Sequence, residues 1–274
     1  MKIGKATVPE TAICTSDEDT IVVRGADLCR DLIGRVGFVD YFFLLVTGRR
    51  PDAVASRVLD ATLVAIAEHG LVPSVQASRM TLAAAPDALQ GAVAAGILGC
   101  GSVILGASET AGRLFASIDA AAREGGLTLD EAAAEAVREL RAGKQAIPGY
   151  GHPQHKARDP RVAALFRVAA EAGAPGRFVA IAEAVERVIP GIVGRELRLN
   201  VSAAIPAVLL DAGFPVEALK GVPILARTAG LIGHLTEELA RPIGFALSYQ
   251  ATREQRYVGA LPPGVARGDP DAED

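Results

Sequence analysis

The chain has 274 residues and a mass of 28.3 kDa, with 50% hydrophobic and 22% charged residues, enough apolar material for one large core or two modest domains. Lys+Arg 28 against Asp+Glu 32 leaves a net charge of -4, which argues against sequence-independent nucleic-acid binding while leaving room for a local basic site for a small anion. Gly 29 and Pro 16 are ordinary shares that exclude collagen-like and low-complexity chains. Cys14, Cys29 and Cys100 form no Cys-x-x-Cys pair and no Cys/His cluster, so neither a disulfide scaffold nor a zinc site is expected.

Met1 to Asp19 carries charges throughout and no apolar core of a signal peptide, so a reducing, cytoplasmic setting is expected. Thr20-Ile21-Val22-Val23 is β-branched and predicts a strand in a short N-terminal hairpin. Asp27 to Thr47 predicts one helix, with Leu28, Leu32, Val36, Val39, Phe43 and Val46 on its apolar face, ended by Gly48 to Pro51. Asp52 caps a second helix toward Glu68. Ser74 to Ala85 and Pro86 to Gly99 predict two more. Ala88 to Ser108 is uncharged and 21 residues long, enough to span a bilayer. Its five glycines, with Gln90 and Ser102, favour a buried helix running into a glycine-rich loop, so no membrane contact is expected. Thr128-Leu129-Asp130-Glu131 is a capping box before a helix ending near Arg141. Asp159-Pro160 opens another helix. Pro175 to Val188, Val201 to Asp211 and Ile224 to Leu239 follow. The Pro-rich, acidic tail from 262 to 274 is expected to be disordered. The whole reads as all-α.

Histidine is scarce. His69 stands at a helix end in Glu68-His69-Gly70-Leu71. His152 stands in Ile147-Pro148-Gly149-Tyr150-Gly151-His152-Pro153, a loop whose glycines let the backbone approach a ligand closely. His234 lies in an apolar helix and reads as a packed core residue, and His155 as exposed.

Several segments together carry a resemblance: Asp31-Leu32-Ile33-Gly34 through Leu44-Leu45-Val46-Thr47-Gly48-Arg49; Glu68-His69-Gly70-Leu71 through Ser74; Gln90-Gly91 through Gly96; Gly149-Tyr150-Gly151-His152 with Asp159-Pro160-Arg161; and Leu199-Asn200-Val201-Ser202. From Gly25 to about Tyr257 the chain resembles the citrate synthase superfamily, in particular its short citryl-CoA lyase branch. The resemblance implies an all-helical homodimer. Its large domain would hold 1–106 and 217–274, its small domain 107–216, with the active site in the cleft between them. The reactions implied make or break the bond between the acetyl-CoA methyl carbon and the keto carbon of oxaloacetate. Coenzyme A enters as part of substrate or product, with no tightly bound cofactor and no metal.

By the same resemblance, His152 is expected to hydrogen-bond the oxaloacetate carbonyl or citryl hydroxyl oxygen. Arg161, Arg227 and Arg241 are expected to hold carboxylates, a task suited to the guanidinium fork. Ile147, Pro148, Gly149, Tyr150 and Gly151 would wrap the CoA adenine with backbone groups, and Lys156 would meet CoA phosphates. His69 matches the histidine of an Asp-His-Gly element used in the lyase branch and in the related domain of ATP-citrate lyase.

Two positions depart from the synthase pattern. Where synthases carry a catalytic histidine, this chain has Ile104. The lyase branch also lacks that histidine, so the departure favours lyase over synthase. Where the family carries a catalytic aspartate, this chain has Ser202, whose hydroxyl has too high a pKa for proton transfer near neutral pH. Glu196 and Glu109 are candidates for a substitute carboxyl. The leading reading is citryl-CoA lyase-type cleavage, with His69, His152 and Ser202 as catalytic candidates. The alternatives are a non-catalytic relative that binds an acyl-CoA or di-acid and, ranked lower, a citrate or methylcitrate synthase.

Overall fold

A computed structural model describes residues 9–101, 105–151 and 159–265. Among these residues the chain is mostly helical, with one small sheet at the start. It divides into two compact units, Met1–Ala65 with Gly106–Val222 and Ile66–Leu105 with Pro223–Asp274. This grouping joins residues 1–65 to 106–222.

In the first unit, β1 (Cys14–Ser16), β2 (Ile21–Val23) and β3 (Ala26–Asp27) form an antiparallel sheet in the order β1-β2-β3, one short strand more than the expected hairpin. Arg24 and Gly25 turn β2 into β3 with positive φ at both positions, the geometry of a tight hairpin turn. Arg24 then donates from Nε and Nη2 to the Leu45 carbonyl at 3.0 and 2.6 Å, which ties the sheet to the next helix.

The single helix expected over Asp27 to Thr47 is two pieces. A π-helical turn covers Leu28–Leu32, capped by the Asp27 side chain, and α1 covers Phe38–Thr47. Gly34 lies between them at φ 73, a conformation that ends a right-handed helix, and extended Gly37 starts the next. Asp52 caps α2 (Ala53–Ala67), its Oδ1 accepting from Ala55 N at 2.7 Å.

The helical body of this unit is α5 (Gly106–Gly125), α6 (Leu129–Ala142), α7 (Pro160–Ala172), α8 (Arg177–Val193) and α9 (Val201–Asp211). The capping box at Thr128 and Glu131 is formed as expected. α9 is the centre: Ala203 to Leu209 are buried without a break, so it is apolar all round; α5, α7 and α8 pack on it, and α6 packs on α8 and α5. α8 starts at a glycine that offers no side-chain cap, and Asp211 at the end of α9 supplies one, accepting from Phe178 N at 2.9 Å and Val179 N at 3.1 Å.

The second unit holds α3 (Pro73–Ala84), α4 (Leu89–Leu98) and α11 (Gly244–Glu254), with most of α10 (Gly221–Ala240). The run that is long enough for a membrane resolves into α4, whose Ala92 and Gly96 are buried four residues apart, buried Cys100 just beyond it, and the start of α5. Gly96 is required there, because a Cβ would stand 2.7 Å from Leu231 Cδ1 and 3.0 Å from the Ser74 carbonyl. Among the described residues no helix is long and apolar enough to cross a membrane. The expected tail disorder falls on 262–274, of which 266–274 lie outside the described residues.

Two helical glycines make opposite predictions. A Cβ at Gly112 on α5 would meet Leu219 Cδ1 at 2.2 Å and Pro206 Cβ at 3.1 Å, whereas one at Gly191 on α8 meets nothing within 4 Å. Gly112→Ala should therefore lower stability by about 1–3 kcal/mol through overpacking. Gly191→Ala should raise it by about 0.5–1 kcal/mol through helix propensity. Urea unfolding midpoints of the two variants check the signs.

Candidate active site

The Ile147 to Gly151 loop is built by its glycines. Gly149 and Gly151 have φ of 85 and 82, so Tyr150 between them turns inward while the chain reverses. Tyr150 makes an isolated antiparallel bridge to Leu199, and its buried hydroxyl donates to the Ala182 carbonyl at 2.7 Å. Burial, with the Glu186 charge adding to it, holds that phenol well above its ordinary pKa, so Tyr150 acts as an anchor that stays protonated.

The loop is sewn to the start of α9. Gly151 N donates to the Arg198 carbonyl at 2.8 Å, Asn200 N to the Gly149 carbonyl at 3.0 Å, and Asn200 Nδ2 to the Gly151 carbonyl at 2.7 Å. Asn200 Oδ1 accepts from Ser202 N at 2.9 Å and so caps the helix. Leu199 N donates to Glu186 Oε1 at 2.8 Å. Gly149 admits no side chain: a Cβ would stand 2.5 Å from Ala203 Cβ and 2.9 Å from its backbone. Ser202, half-buried, is thus fixed next to the loop. Pro206, four residues on in α9, has no N–H to return to the Ser202 carbonyl, so the first turn of α9 depends on these side contacts.

Asp159 joins this cluster to α7. Its side chain is buried and accepts from Arg161 N and Nε at 3.0 Å each and from Arg161 Nη2 at 2.8 Å. Burial raises its pKa, but the Arg161 fork and the backbone N–H groups of Arg161 and Val201 outweigh that and hold it below the usual carboxylate value. Arg161, the expected carboxylate holder, therefore spends Nε and Nη2 on Asp159, and among the described residues no hydrogen bond is made by its Nη1. Asp159 entered the sequence reading as a helix start and as part of the Asp159-Pro160-Arg161 motif. Its aspartate–proline–arginine setting marked the cap but not the contact to α9.

His69, Arg227 and Arg241 lie in the second unit. His69 is exposed at the end of α2. The Glu68 carboxylate accepts from the backbone N–H of Gly70 and of His69. His234 Nε2 stands 2.9 Å from Glu68 Oε2, off the line of a straight hydrogen bond. Burial raises the Glu68 pKa, but the His234 contact and the two backbone donors prevail and hold it below its ordinary value. His234, read from sequence as a core residue, is largely buried and also stands against the Glu68 carboxylate. The signal was its spacing, seven residues after Arg227 on one helix face.

Arg227 is 4% exposed, and among the described residues its Nε and Nη1 have no hydrogen-bond partner. A buried guanidinium with open donors is costly unless an anion meets it. Arg241 is exposed, and its carbonyl accepts from Arg79 Nη2 at 3.0 Å. Arg79 also pairs with Glu238 at 2.5 Å, both side chains buried, and with Glu237 at 2.8 Å. Glu238 in turn accepts from Ile243 and Gly244 N, so this network fixes the chain where Arg241 stands. His152, Lys156 and Ile104 lie outside the described residues. Glu109 and Glu196 are paired elsewhere, with Arg113 at 3.1 Å and Arg198 at 2.6 Å.

A helical fold of this order, with these loop and arginine elements, is that of the citrate synthases, and the model of the citrate synthase C-terminal domain matches residues 30–243. The chain belongs to the citrate synthase family. Among solved structures it is similar to citryl-CoA lyase from Hydrogenobacter thermophilus, with TM-score 0.81 and 31% identity over 95% of this chain and 98% of that one. ATP citrate lyase from Methanosaeta concilii, solved in complex with (3S)-citryl-CoA, shares the fold at TM-score 0.71 and 24% identity, over 96% of this chain and 43% of that one. Citrate synthase from Synechocystis sp. is 27% identical over 212 residues, 75% of this chain and 51% of that protein. The chain spans about half the length of the curated relatives it matches.

Two measurements probe the cluster. Gly149→Ala combines a left-handed backbone, about 1–2 kcal/mol for a residue with a Cβ, with a collision against Ala203, and should cost at least about 2 kcal/mol. Gly151→Ala, whose Cβ meets only Leu197 Cδ2 at 3.4 Å, should cost the backbone share alone, about 1 kcal/mol. Because the Asp159 pKa is lower folded than unfolded, its stabilisation is complete above the unfolded value of about 4 and is lost as pH falls through the folded one. Asp159→Asn should thus lower the urea midpoint at pH 7 and flatten its decline below pH 4.

Proposed function

We propose that this protein is a homodimeric carbon–carbon lyase that cleaves (3S)-citryl-CoA, or a close analogue, to acetyl-CoA and oxaloacetate. The observation that carries the reading is the match to citryl-CoA lyase over nearly the whole of both chains, against half-length matches to citrate synthases. Ile104 in place of the synthase histidine agrees with it. Arg227 supports an anionic substrate, since its open buried donors suit a carboxylate. Exposed Leu98, Leu239, Phe245 and Tyr249, on helices of the second unit, support a partner subunit.

In the proposed reaction a base, His69 or His152, takes the proton of the tertiary hydroxyl. The C–C bond breaks, its electron pair passes to the thioester as an enolate, and the alkoxide becomes the oxaloacetate ketone. The enolate then takes a proton on carbon and leaves as acetyl-CoA. Arg161, Arg227 and Arg241 hold the carboxylates, and Ile147 to Gly151 with Lys156 receive coenzyme A. The family's aspartate would supply the last proton; with Ser202 there, water does so. Asp159 is a poor substitute, because Arg161 holds it ionised. Loss of a general acid costs about 10²–10⁴-fold, so the proposed lyase is slow.

The test is cleavage of citryl-CoA, malyl-CoA and citramalyl-CoA by wild type, Ser202→Asp and Arg227→Gln. Ser202→Asp should raise citryl-CoA cleavage tenfold or more, about 1.4 kcal/mol in barrier. Arg227→Gln should raise KM at least tenfold. If wild type and Ser202→Asp bind CoA but cleave none of the three esters, the protein is a non-catalytic acyl-CoA-binding relative, a reading that Ser202 itself favours.

A further inference from the structure

We propose that Glu68 and His234 form a positioning pair for His69: the carboxylate holds the backbone just after His69, and the imidazole on α10 stands against the carboxylate. The inference rests on the reading of His69 as a proton-transfer residue of a lyase.

The argument starts from the chain at the end of α2. Beyond Ala67 the helix is over, and Gly70 takes φ 74, so the backbone around His69 has no helical ladder to hold it. One hydrogen bond, one close side-chain contact and one close helix approach act on this turn. The Glu68 carboxylate accepts from the Gly70 N–H, directly after His69. His234 Nε2 stands 2.9 Å from Glu68 Oε2, on the other oxygen of the same carboxylate. Gly230, one turn before His234, lets α10 meet the end of α2 so closely that a Cβ there would stand 2.1 Å from the Ala67 carbonyl. The close approach of the helices and the charge contact therefore act at adjacent turns of α10.

The asymmetry of burial fits this assignment. His234 is 15% exposed while the Glu68 side chain is 49% exposed, so the pair is a buried post holding a surface group. A half-exposed ion pair contributes little to global stability. Its effect falls on the geometry it fixes. On the same face of α10, seven residues earlier, stands Arg227 with its open donors. One helix face thus carries both a candidate carboxylate holder and the support for a candidate base.

The test uses the full-length chain and two readouts. Amide hydrogen exchange is measured at His69 and Gly70 in wild type, Glu68→Ala, Glu68→Asp and His234→Ala. Citryl-CoA cleavage is measured on the same proteins and on the Glu68→Ala/His234→Ala double variant, with urea midpoints to verify folding. Glu68→Ala and His234→Ala should each lower protection at Gly70 at least tenfold. They should lower kcat at least tenfold with KM changed less than threefold, and the double variant should be no worse than the poorer single. Glu68→Asp, the acid of the family's Asp-His-Gly element, should recover most of kcat. Should His234→Ala leave Gly70 protection and kcat at wild-type levels in a folded protein, the pairing is overturned. Additive losses in the double variant overturn it as well. If wild type cleaves no CoA ester, the lyase reading fails instead, and the exchange data alone decide the pairing.

Discussion

The backbone of Gly149 lies against Ala203 with no space for even a methyl group between them, and most of what is ordered around Ser202 follows from that contact. It lets Tyr150 bridge to Leu199, lets Asn200 bond both glycines, and so brings the capped start of α9 to the end of the Ile147 to Gly151 loop. α9 could not supply this order alone. Pro206 breaks its backbone ladder at Ser202, and its fully apolar surface gives packing energy without direction. Hydrogen bonds from the loop supply the direction. The rigidity of the region is thus imported from residues some fifty positions earlier in the chain, and the glycines are what make the import sterically possible.

The second unit solves a different problem. It keeps two arginines, Arg79 and Arg227, almost wholly out of water. Arg79 is neutralised within the unit by Glu238 and Glu237, and its network holds the segment after α10 in place. Such a pair contributes geometry more than stability, since desolvation offsets much of the Coulomb attraction. Arg227 has no such partner among the described residues. Within one unit, then, the same residue type is used once as structure and once as an open cationic site.

Local chemistry made parts of this legible in the sequence. Asp52, Thr128 with Glu131, and Asp159-Pro160 each announce a helix start through a side chain that satisfies nearby N–H groups, and each start is where it was expected. The break at Gly34 was missed because the apolar spacing of Leu28 to Val46 continues across it, and periodicity carries no record of one left-handed residue. α5 and α11 were missed as well: α5 is nearly neutral in mean hydropathy, with alanine and glycine filling its buried face. For the site, the resemblance supplied residue types, but the long-range contacts were not legible. Nothing local shows that Asp159 reaches Val201, or that His234 meets Glu68 from a separation of 166 positions.

Asp159 carries a consequence for how this chain can diverge. One carboxylate starts α7 and orients Arg161, so the helix start and the aim of the guanidinium are written into the same two oxygens. Random drift cannot retune one without spoiling the other. Ser202 lies under no such double demand: its backbone N–H holds the cap, and its side chain is free of that duty. Change in descendants of this sequence would therefore come more readily by exchange at positions such as 202, around an aspartate that stays fixed.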